Sequence, residues 1–318
     1  MLTYLARRWL ALLPTLLLAS VLIFAIIQLS PGDPVRMKLG TEASPEEVAN
    51  ERERLGLDRP VPYRYAVWLS DVARLNLGRS LVNNKPVVDL VAEAFPNTLR
   101  LSLTAFALAV LIGLPLGSLA AVRHNGRVDT LITGLNALGL AVPAFFVGMM
   151  LILVFAVSLQ WLPPSGVGNP SQPWYANLRY LVLPVATITL SNLSVFSRFV
   201  RSAMIDVLGA DYVRTARAKG VPELAVIGRH AFRNALIPVV TVLGIQFSRL
   251  LGGAVVTEAV FSYPGLGRLV VTSILNRDYP VVQGALMLVV AVFLVTSIVI
   301  DLSYTWLDPR VGPQGASQ

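Results

Sequence analysis

Six stretches of this chain are apolar over the length a bilayer core demands, and that feature leaves few folds open. A membrane-spanning helix needs about 20 predominantly apolar residues. Such runs lie near 10–29, 98–122, 131–159, 180–200, 237–260 and 282–305. No charge interrupts 101–122, 130–160 or 180–197, whereas the fifth run carries Arg249 and Glu258 and the sixth ends with Asp301. Composition agrees. The chain is 55% hydrophobic and 14% charged with mean hydropathy +0.66, against about 25% charged in soluble domains. An ordinary soluble enzyme and a disordered chain are both excluded. The pattern predicts an all-α, polytopic membrane protein with six transmembrane helices.

Orientation follows from the basic residues of the short loops. With the N-terminus inside, the cytoplasmic side holds Arg7, Arg8, Arg123, Arg127, Arg201, Arg214, Arg217, Lys219, Arg229, Arg233 and Arg310. The opposite side holds only Arg179, Arg268 and Arg277 in short loops. Both termini are therefore expected in the cytoplasm. The net charge of +8 is explained by topology, so nucleic acid is not needed as a partner. The first run, Leu10 to Leu29, exceeds the 7–15 residues of a signal-peptide core, and no A-x-A site follows it, so it reads as an uncleaved anchor.

The long 30–97 segment forms an extracytoplasmic insert. Ser44-Pro45-Glu46-Glu47 combines an N-cap, a first-position proline and two acids facing the helix dipole. That helix should run to Leu55 and stop at Gly56. A second is expected over Tyr63–Leu75, with Tyr65, Leu69 and Val72 on one face. Segment 161–178 is Pro-rich and uncharged; its Trp161, Trp174 and Tyr175 suit interface anchors.

Catalytic machinery is missing. With no Cys and only His124 and His230, neither a thiolate site nor a His-rich metal cluster is available. No Gly-Lys dipeptide occurs, which removes the P-loop, and neither H-E-x-x-H nor G-x-S-x-G is present. Gly265-Leu266-Gly267 after Tyr263-Pro264 reads as a turn. The two histidines, each beside arginines, read as solvated or helix-end groups rather than general bases.

The informative segment is the cytoplasmic connection Arg201–Asn234, too long and too patterned for a simple connector. Ile205, Leu208, Tyr212 and Ala216 recur at helical spacing. Gly220 then stops this helix, with Arg217 and Lys219 in its last turn. Pro222 and Glu223 restart a short one whose apolar face is Leu224, Ile227 and Ala231, and Pro238 opens the fifth span. Two short helices along the membrane make either a stiff handle or an amphipathic element resting on anionic lipid.

Tyr212-Val213-Arg214-Thr215-Ala216-Arg217-Ala218-Lys219-Gly220, followed by Arg229-His230-Ala231-Phe232-Arg233-Asn234-Ala235-Leu236-Ile237-Pro238, closely resembles the EAA loop of ABC-importer permeases, in the variant of the dipeptide, oligopeptide and nickel group. Leu55-Gly56-Leu57-Asp58-Arg59-Pro60, Leu75-Asn76-Leu77-Gly78-Arg79-Ser80, Pro96-Asn97-Thr98-Leu99 and Glu258-Ala259-Val260-Phe261-Ser262-Tyr263-Pro264-Gly265-Leu266-Gly267 are similar to the same group, in order along the chain. Two departures stand out. Arg214 and Thr215 replace the Glu-Ala that opens the general loop pattern, and Phe232-Arg233 replaces its closing Leu-Pro.

The resemblance implies a type I ABC-importer permease fold in the cell inner membrane, carrying di- or oligopeptides. Nickel, glutathione or oligosaccharides are the alternatives within that architecture. It implies a second, related permease subunit, two cytoplasmic ATPase subunits that bind ATP and Mg, and an extracytoplasmic solute-binding protein. No cofactor would sit on this chain. The coupling residues it implies are Ala216, Gly220, Val221, Pro222, Glu223, Leu224, Ile227 and Arg229. The expected organisation is an anchor with insert over 1–93, a transmembrane core over 94–305 with coupling loop 201–236, and a cytoplasmic tail over 306–318.

Candidates for the translocation path come from polar residues at bilayer depth. Arg249 lies about 18 Å past Ile237 at 1.5 Å per residue, near mid-membrane, and Glu258 lies about 13 Å further out. Glu258 either stabilises the outer mouth near the Tyr263-Pro264-Gly265 turn or touches substrate, whereas Arg249 either lines the path or the permease–permease seam or makes an internal bond. Asn192, Ser191, Ser194 and Asn136 have the same two options. Phe145, beside a Pro143 kink, is a candidate gate or a lipid contact. Gly113-x-x-x-Gly117 and Gly252-Gly253 read as close-packing sites. A self-sufficient secondary transporter is the rival from another class, but it predicts internal repeats that the chain lacks.

Overall fold

The computed structural model describes residues 2–29, 35, 39, 43–54, 56–169, 171 and 173–307, with the side chains of 2–11, 174, 251, 253 and 301–307 outside the description. The Leu55 end of the first insert helix, the Asp301 side chain and Arg310 therefore lie outside the described residues. Among the described residues, regular structure is helical apart from a bridge between Arg79 and Pro86. In chain order the helices are α1 (Leu2–Leu29), α2 (Pro45–Arg54), α3 (Val61–Ala73), α4 (Val87–Val122), α5 (Arg127–Ala141) and α6 (Ala144–Leu151), the last extended by a π-helical Ile152–Ser158. There follow α7 (Trp174–Asn177), α8 (Arg179–Leu208), α9 (Asp211–Ala218), α10 (Glu223–Ala225), α11 (Arg233–Val260), α12 (Leu266–Leu275) and α13 (Tyr279–Leu307).

Among the described residues five helical segments are long and apolar enough to cross a membrane, and a sixth is added if the bent pair α5 and α6 counts as one span. The apolar run expected as a single kinked helix over 131–159 is broken by 99°. The cause is local: Val142, the residue before Pro143, is held extended at ψ 124, where the helix cannot continue. Two other boundaries move. The second span starts at Val87, so Pro96-Asn97-Thr98 sits inside a helix. The fifth does not open at Pro238: α10 runs through a π-helical Val226–Phe232 straight into α11, which contains Pro238. The wider π turn, bonding five residues back, joins the loop helix to the span as one rod.

Contacts divide the chain into two units, Met1–Thr98 with Pro264–Val295, and Leu99–Tyr263 with Thr296–Gln318. In the first, Ser44 and Glu47 form a reciprocal capping box that starts α2. The Ser44 amide donates to Glu47 Oε2 at 2.8 Å, and the Glu47 amide donates to Ser44 Oγ at 3.3 Å. Gly56 follows in the left-handed region at φ 62. Tyr65 and Trp68 of α3 pack on Phe24 of α1 with ring centroids 5.5 and 5.6 Å apart. The start of α4 buries Val87, Val91 and Ala94 against Leu266 and Val270 of α12 and Val281 and Ala285 of α13.

Two of the motif stretches acquire a structural reason in this unit. Asn97 donates its amide to the Pro264 carbonyl at 2.9 Å, and Thr98 Oγ1 accepts from the Leu266 amide at 2.8 Å, fixing the entry to α12. Ser80 donates to buried Asp278, whose other carboxylate oxygen accepts the Leu81 amide at 3.0 Å.

In the second unit α8 is the central helix, packed against α5, α6 and α11. It also meets α4 at close range: a Cβ on Gly117 would lie 2.5 Å from the Ser197 carbonyl, and one on Gly113 would lie 3.0 Å from Phe196. The expected close packing at this glycine pair is what lets two helices touch backbone to side chain. Gly252 behaves otherwise. A Cβ there would meet nothing within 4 Å. Phe106 of α4 contacts Phe196 and Phe247 edge-on at 5.6 and 4.9 Å.

Candidate functional site

The loop after α8 is built by three backbone events. α8 runs to Leu208 and ends at Gly209; Ala210 turns extended, and α9 begins at Asp211. Gly220 then takes φ +76, a conformation that side-chain-bearing residues rarely adopt. A Cβ there would meet no atom within 4 Å, so the turn and not crowding demands glycine. Pro222, extended at ψ 138, sets the start of α10.

Side chains lock the turn from both sides. Arg217 reaches across Gly220 to Glu223 at 2.8 Å. Val213 and Ala216 of α9 bury against Val226, with Val221 packed at the edge. Asn234 donates its amide to the Tyr212 hydroxyl at 3.0 Å and to the His230 carbonyl at 2.8 Å.

The apolar face expected on these helices is corrected here. The helix expected over 205–216 is split at Gly209, so Ile205 and Leu208 belong to α8 and pack with Val200 and Met204. On α9 the buried positions are Val213 and Ala216, while Tyr212 is exposed. On the next helix Val226 and Ala231 are buried and Ile227 is partly so, but Leu224 is 87% exposed. One leucine thus projects from a tied-down turn, with Glu223 and Arg229 also exposed on the same segment.

The polar residues expected at bilayer depth separate. Arg249 is exposed on α11, and no hydrogen bond or ion pair holds it among the described residues. Ile245, Gly252 and Val256 are exposed along the same helix, a stripe at heptad-like spacing with Arg249. Glu258, further along, is fully buried. Asn192 donates to the Ile188 carbonyl of its own helix at 2.9 Å, and Ser191 and Ser194 likewise bond one turn back. Asn136 bridges α5 to α8 through Ser197 at 3.0 Å. Phe145 is exposed on α6. No three His, Cys, Asp or Glu come together as a metal site among the described residues.

The sequence pattern of the family described as "Binding-protein-dependent transport system inner membrane component" matches residues 113–313. That of its N-terminal membrane component matches residues 1–104. The chain belongs to the permeases of binding-protein-dependent ABC importers. It is 42% identical to the glutathione transport system permease protein GsiC of Escherichia coli (strain K12), over 98% of this chain and 99% of that protein. It is 39% identical to the probable peptide ABC transporter permease protein y4tP of Sinorhizobium fredii (strain NBRC 101917 / NGR234), over 97% and 98%. In fold it is similar to an inward-facing methionine ABC transporter, MetNI, at TM-score 0.57 and 18% identity, covering 69% of this chain and 96% of that one. An amino acid ABC transporter solved with histidines gives TM-score 0.53 at 15% identity, over 69% and 94%.

The protein is thus a multi-pass inner-membrane permease, a transport subunit and not a catalytic one. Membership implies ATPase, permease and binding-protein partners in general. It also sets aside the self-sufficient secondary transporter.

One polar cluster of this permease was not anticipated from sequence. Asp129, buried in the first turn of α5, accepts from Arg201 of α8 at 2.5 and 2.7 Å and from the Asn125 amide at 3.0 Å, with His124 Nδ1 at 3.2 Å. The available signal was an acid in a helix first turn beside a histidine and several arginines. Its partner, Arg201, lies far along the chain, and only the packing of α5 on α8 brings them together.

Proposed function

We propose that this permease imports short peptides, glutathione-like tripeptides among them, and that the turn around Gly220 is its mechanical link to ATPase subunits. The observation carrying this reading is Leu224: an apolar side chain left 87% exposed at the tip of a turn whose apolar neighbours Val213, Ala216 and Val226 are tucked in. Ala216 and Val221 pack its base, Gly220 and Pro222 set its angle, Glu223 holds the Arg217 brace, Ile227 anchors its exit and Arg229 offers charge to a partner. Because α10 is continuous with α11, a push on the turn is delivered directly to a membrane span. ATP and Mg belong on the partner subunits in this account, and closure of two of them rocks the helices between outward- and inward-facing states.

The bent pair α5 and α6 counts as one span here, giving six, with both termini and the Gly220 turn on the cytoplasmic side and the 30–97 insert outside, where it helps frame the binding protein. The basic residues of the short loops support that orientation. The exposed Arg249 stripe of α11 forms the translocation path or the seam with a second permease, because a charge at that depth needs water, a partner or substrate. Glu258 supports the outer end of the same helix from within, and Phe145 faces outward beside the break. Asn192 is bonded within its own helix and is the weakest of these path candidates. The peptide and glutathione permeases similar to this chain support the substrate class.

Purification of the tagged chain from mild detergent, with mass spectrometry and an ATPase assay, tests the reading. ATPase subunits and a second permease should co-purify. Replacing Leu224 with Asp removes a contact worth about 2 kcal/mol, roughly 30-fold in affinity, and should strip the ATPase while the chain stays folded. Undiminished ATPase recovery and peptide uptake in that variant would contradict the coupling role.

A further inference from the structure

Within the first unit a groove of about 730 Å³ lies between the end of α1, the turn from α2 to α3, and the start of α13. Phe24 and Trp68 give it an aromatic lining, and four arginines line it, Arg52, Arg54, Arg59 and Arg64, against two carboxylates, Glu53 and Asp71. Arg54 is spoken for, paired to Glu51 at 2.8 Å. Arg59 is held over the Tyr63 ring, 4.8 Å from its centroid, and donates to the Tyr63 hydroxyl at 2.5 Å.

Arg64 is different. Its side chain is half-buried and bonds no carboxylate or carbonyl among the described residues. Burial first, and the like charge of Arg52 second, disfavour its charged form. A cation placed this way is unfavourable unless an anion joins it.

The source of that anion follows from what borders the groove. Phe24 and Ile27 belong to the last apolar turns of a membrane span, and Leu18, Leu22, Ile26 and Leu29 on the same helix are exposed. Trp and Tyr beside Arg at the end of a span are the residue types of the headgroup region. We propose that the groove seats the phosphate headgroup of an anionic phospholipid of the outer leaflet, with its acyl chains lying along the exposed face of α1. Arg64 and Arg52 hold the phosphate, Arg59 and Tyr63 close one side, and Trp68 packs on the glycerol. The site ties the insert to the bilayer surface. The proposal rests on the orientation given above.

The test is native mass spectrometry of the purified complex, titrated with a short-chain phosphatidylglycerol, the phosphatidylcholine of the same chains, and inorganic phosphate. One phosphatidylglycerol per copy of this chain should be retained in preference to phosphatidylcholine. Arg64→Gln and Arg52→Gln should each weaken retention roughly fivefold, at about 1 kcal/mol per arginine near a headgroup, while Arg64→Lys keeps most of it. Arg74→Gln, exposed on the insert but outside the groove, should change nothing. Equal retention of phosphatidylcholine, or no effect of either glutamine variant, would overturn the site. Full displacement by inorganic phosphate would make it a free-anion site and overturn the lipid assignment. If Arg64→Gln does not assemble, Arg52→Gln decides alone. Labelling of Val82→Cys by an impermeant thiol reagent on intact cells checks the orientation separately, so failed lipid binding with correct labelling counts against this site only.

Discussion

At the scale of single residues, two positions matter most, for opposite reasons. Leu224 is exposed where an apolar side chain has no internal purpose, and Gly117 is small where any side chain would be in the way. A methyl group at 117 would sit 2.5 Å from the Ser197 carbonyl and 2.7 Å from Val200 Cβ, and backbone cannot swing aside as a flexible side chain can. Gly117→Ala should therefore destabilise the chain by about 1–3 kcal/mol, seen as a lower melting temperature in detergent. Gly134→Ala is the control. Its Cβ would meet nothing within 4 Å, and the gain in helix propensity should leave stability equal or higher. Equal melting of both variants would mean that α4 and α8 do not approach as closely as described. Of these two residues, the glycine pair was readable as a packing site from its spacing. The exposure of Leu224 was not, because periodicity assigned it to the same face as Ile227 and Ala231, and only the fold shows that Val226 takes the buried place.

At the scale of elements, polar pairs decide where helices start and how they are held. Asp129, buried on α5, and Arg201 of α8 join the two helices. Removing Asp129 leaves the partly exposed Arg201 guanidinium without its partner, so Asp129→Asn should cost about 1–3 kcal/mol. A double-mutant cycle with Arg201→Gln, read by thermal denaturation, should show strong coupling, and additive effects would mean that the pair is incidental.

The capping box of α2 makes a milder prediction with a definite sign. The Ser44 amide, then the Ser44 hydroxyl, bond the Glu47 carboxylate and hold its pKa below the ordinary value. A depressed carboxylate contributes stability that is present above its ordinary pKa and lost as pH falls through the lowered one. Amide exchange in the first turn of α2 should therefore stay slow at neutral pH and speed up only in acid, and Glu47→Gln should flatten that dependence. Helix starts of this kind were legible in the sequence, Ser44-Pro45-Glu46-Glu47 above all. The break at Pro143 was legible as a kink but not as a 99° turn, and the continuity of α10 with α11 was hidden because Pro238 reads as a start signal. Neither bend angles nor π turns leave a trace in residue periodicity.

At the scale of the whole molecule, the apolar runs and the asymmetry of basic residues carried the class and the topology expectation, and the ordered motifs carried the family. What they did not carry was any pairing between distant segments: Asp129 with Arg201, Ser80 with Asp278, Asn97 with the Pro264 carbonyl. These depend on which helices neighbour each other, and a single chain's pattern specifies faces but not neighbours. The same limit applies to Arg249. Its expected depth follows from counting residues, but its place on an exposed stripe emerges only once α8 has covered the other side of α11.

The central claim is that the turn at Gly220 touches an ATPase, and the absence of any natural cysteine makes it directly measurable. A single cysteine at Leu224, joined to a short photoactivatable cross-linker in membranes containing the intact complex, should give an adduct whose second chain is an ATPase subunit, and a single cysteine at Val82 should give none with that subunit. An unlinked Leu224 position, or one linked only to lipid while the ATPase still co-purifies, would contradict the account.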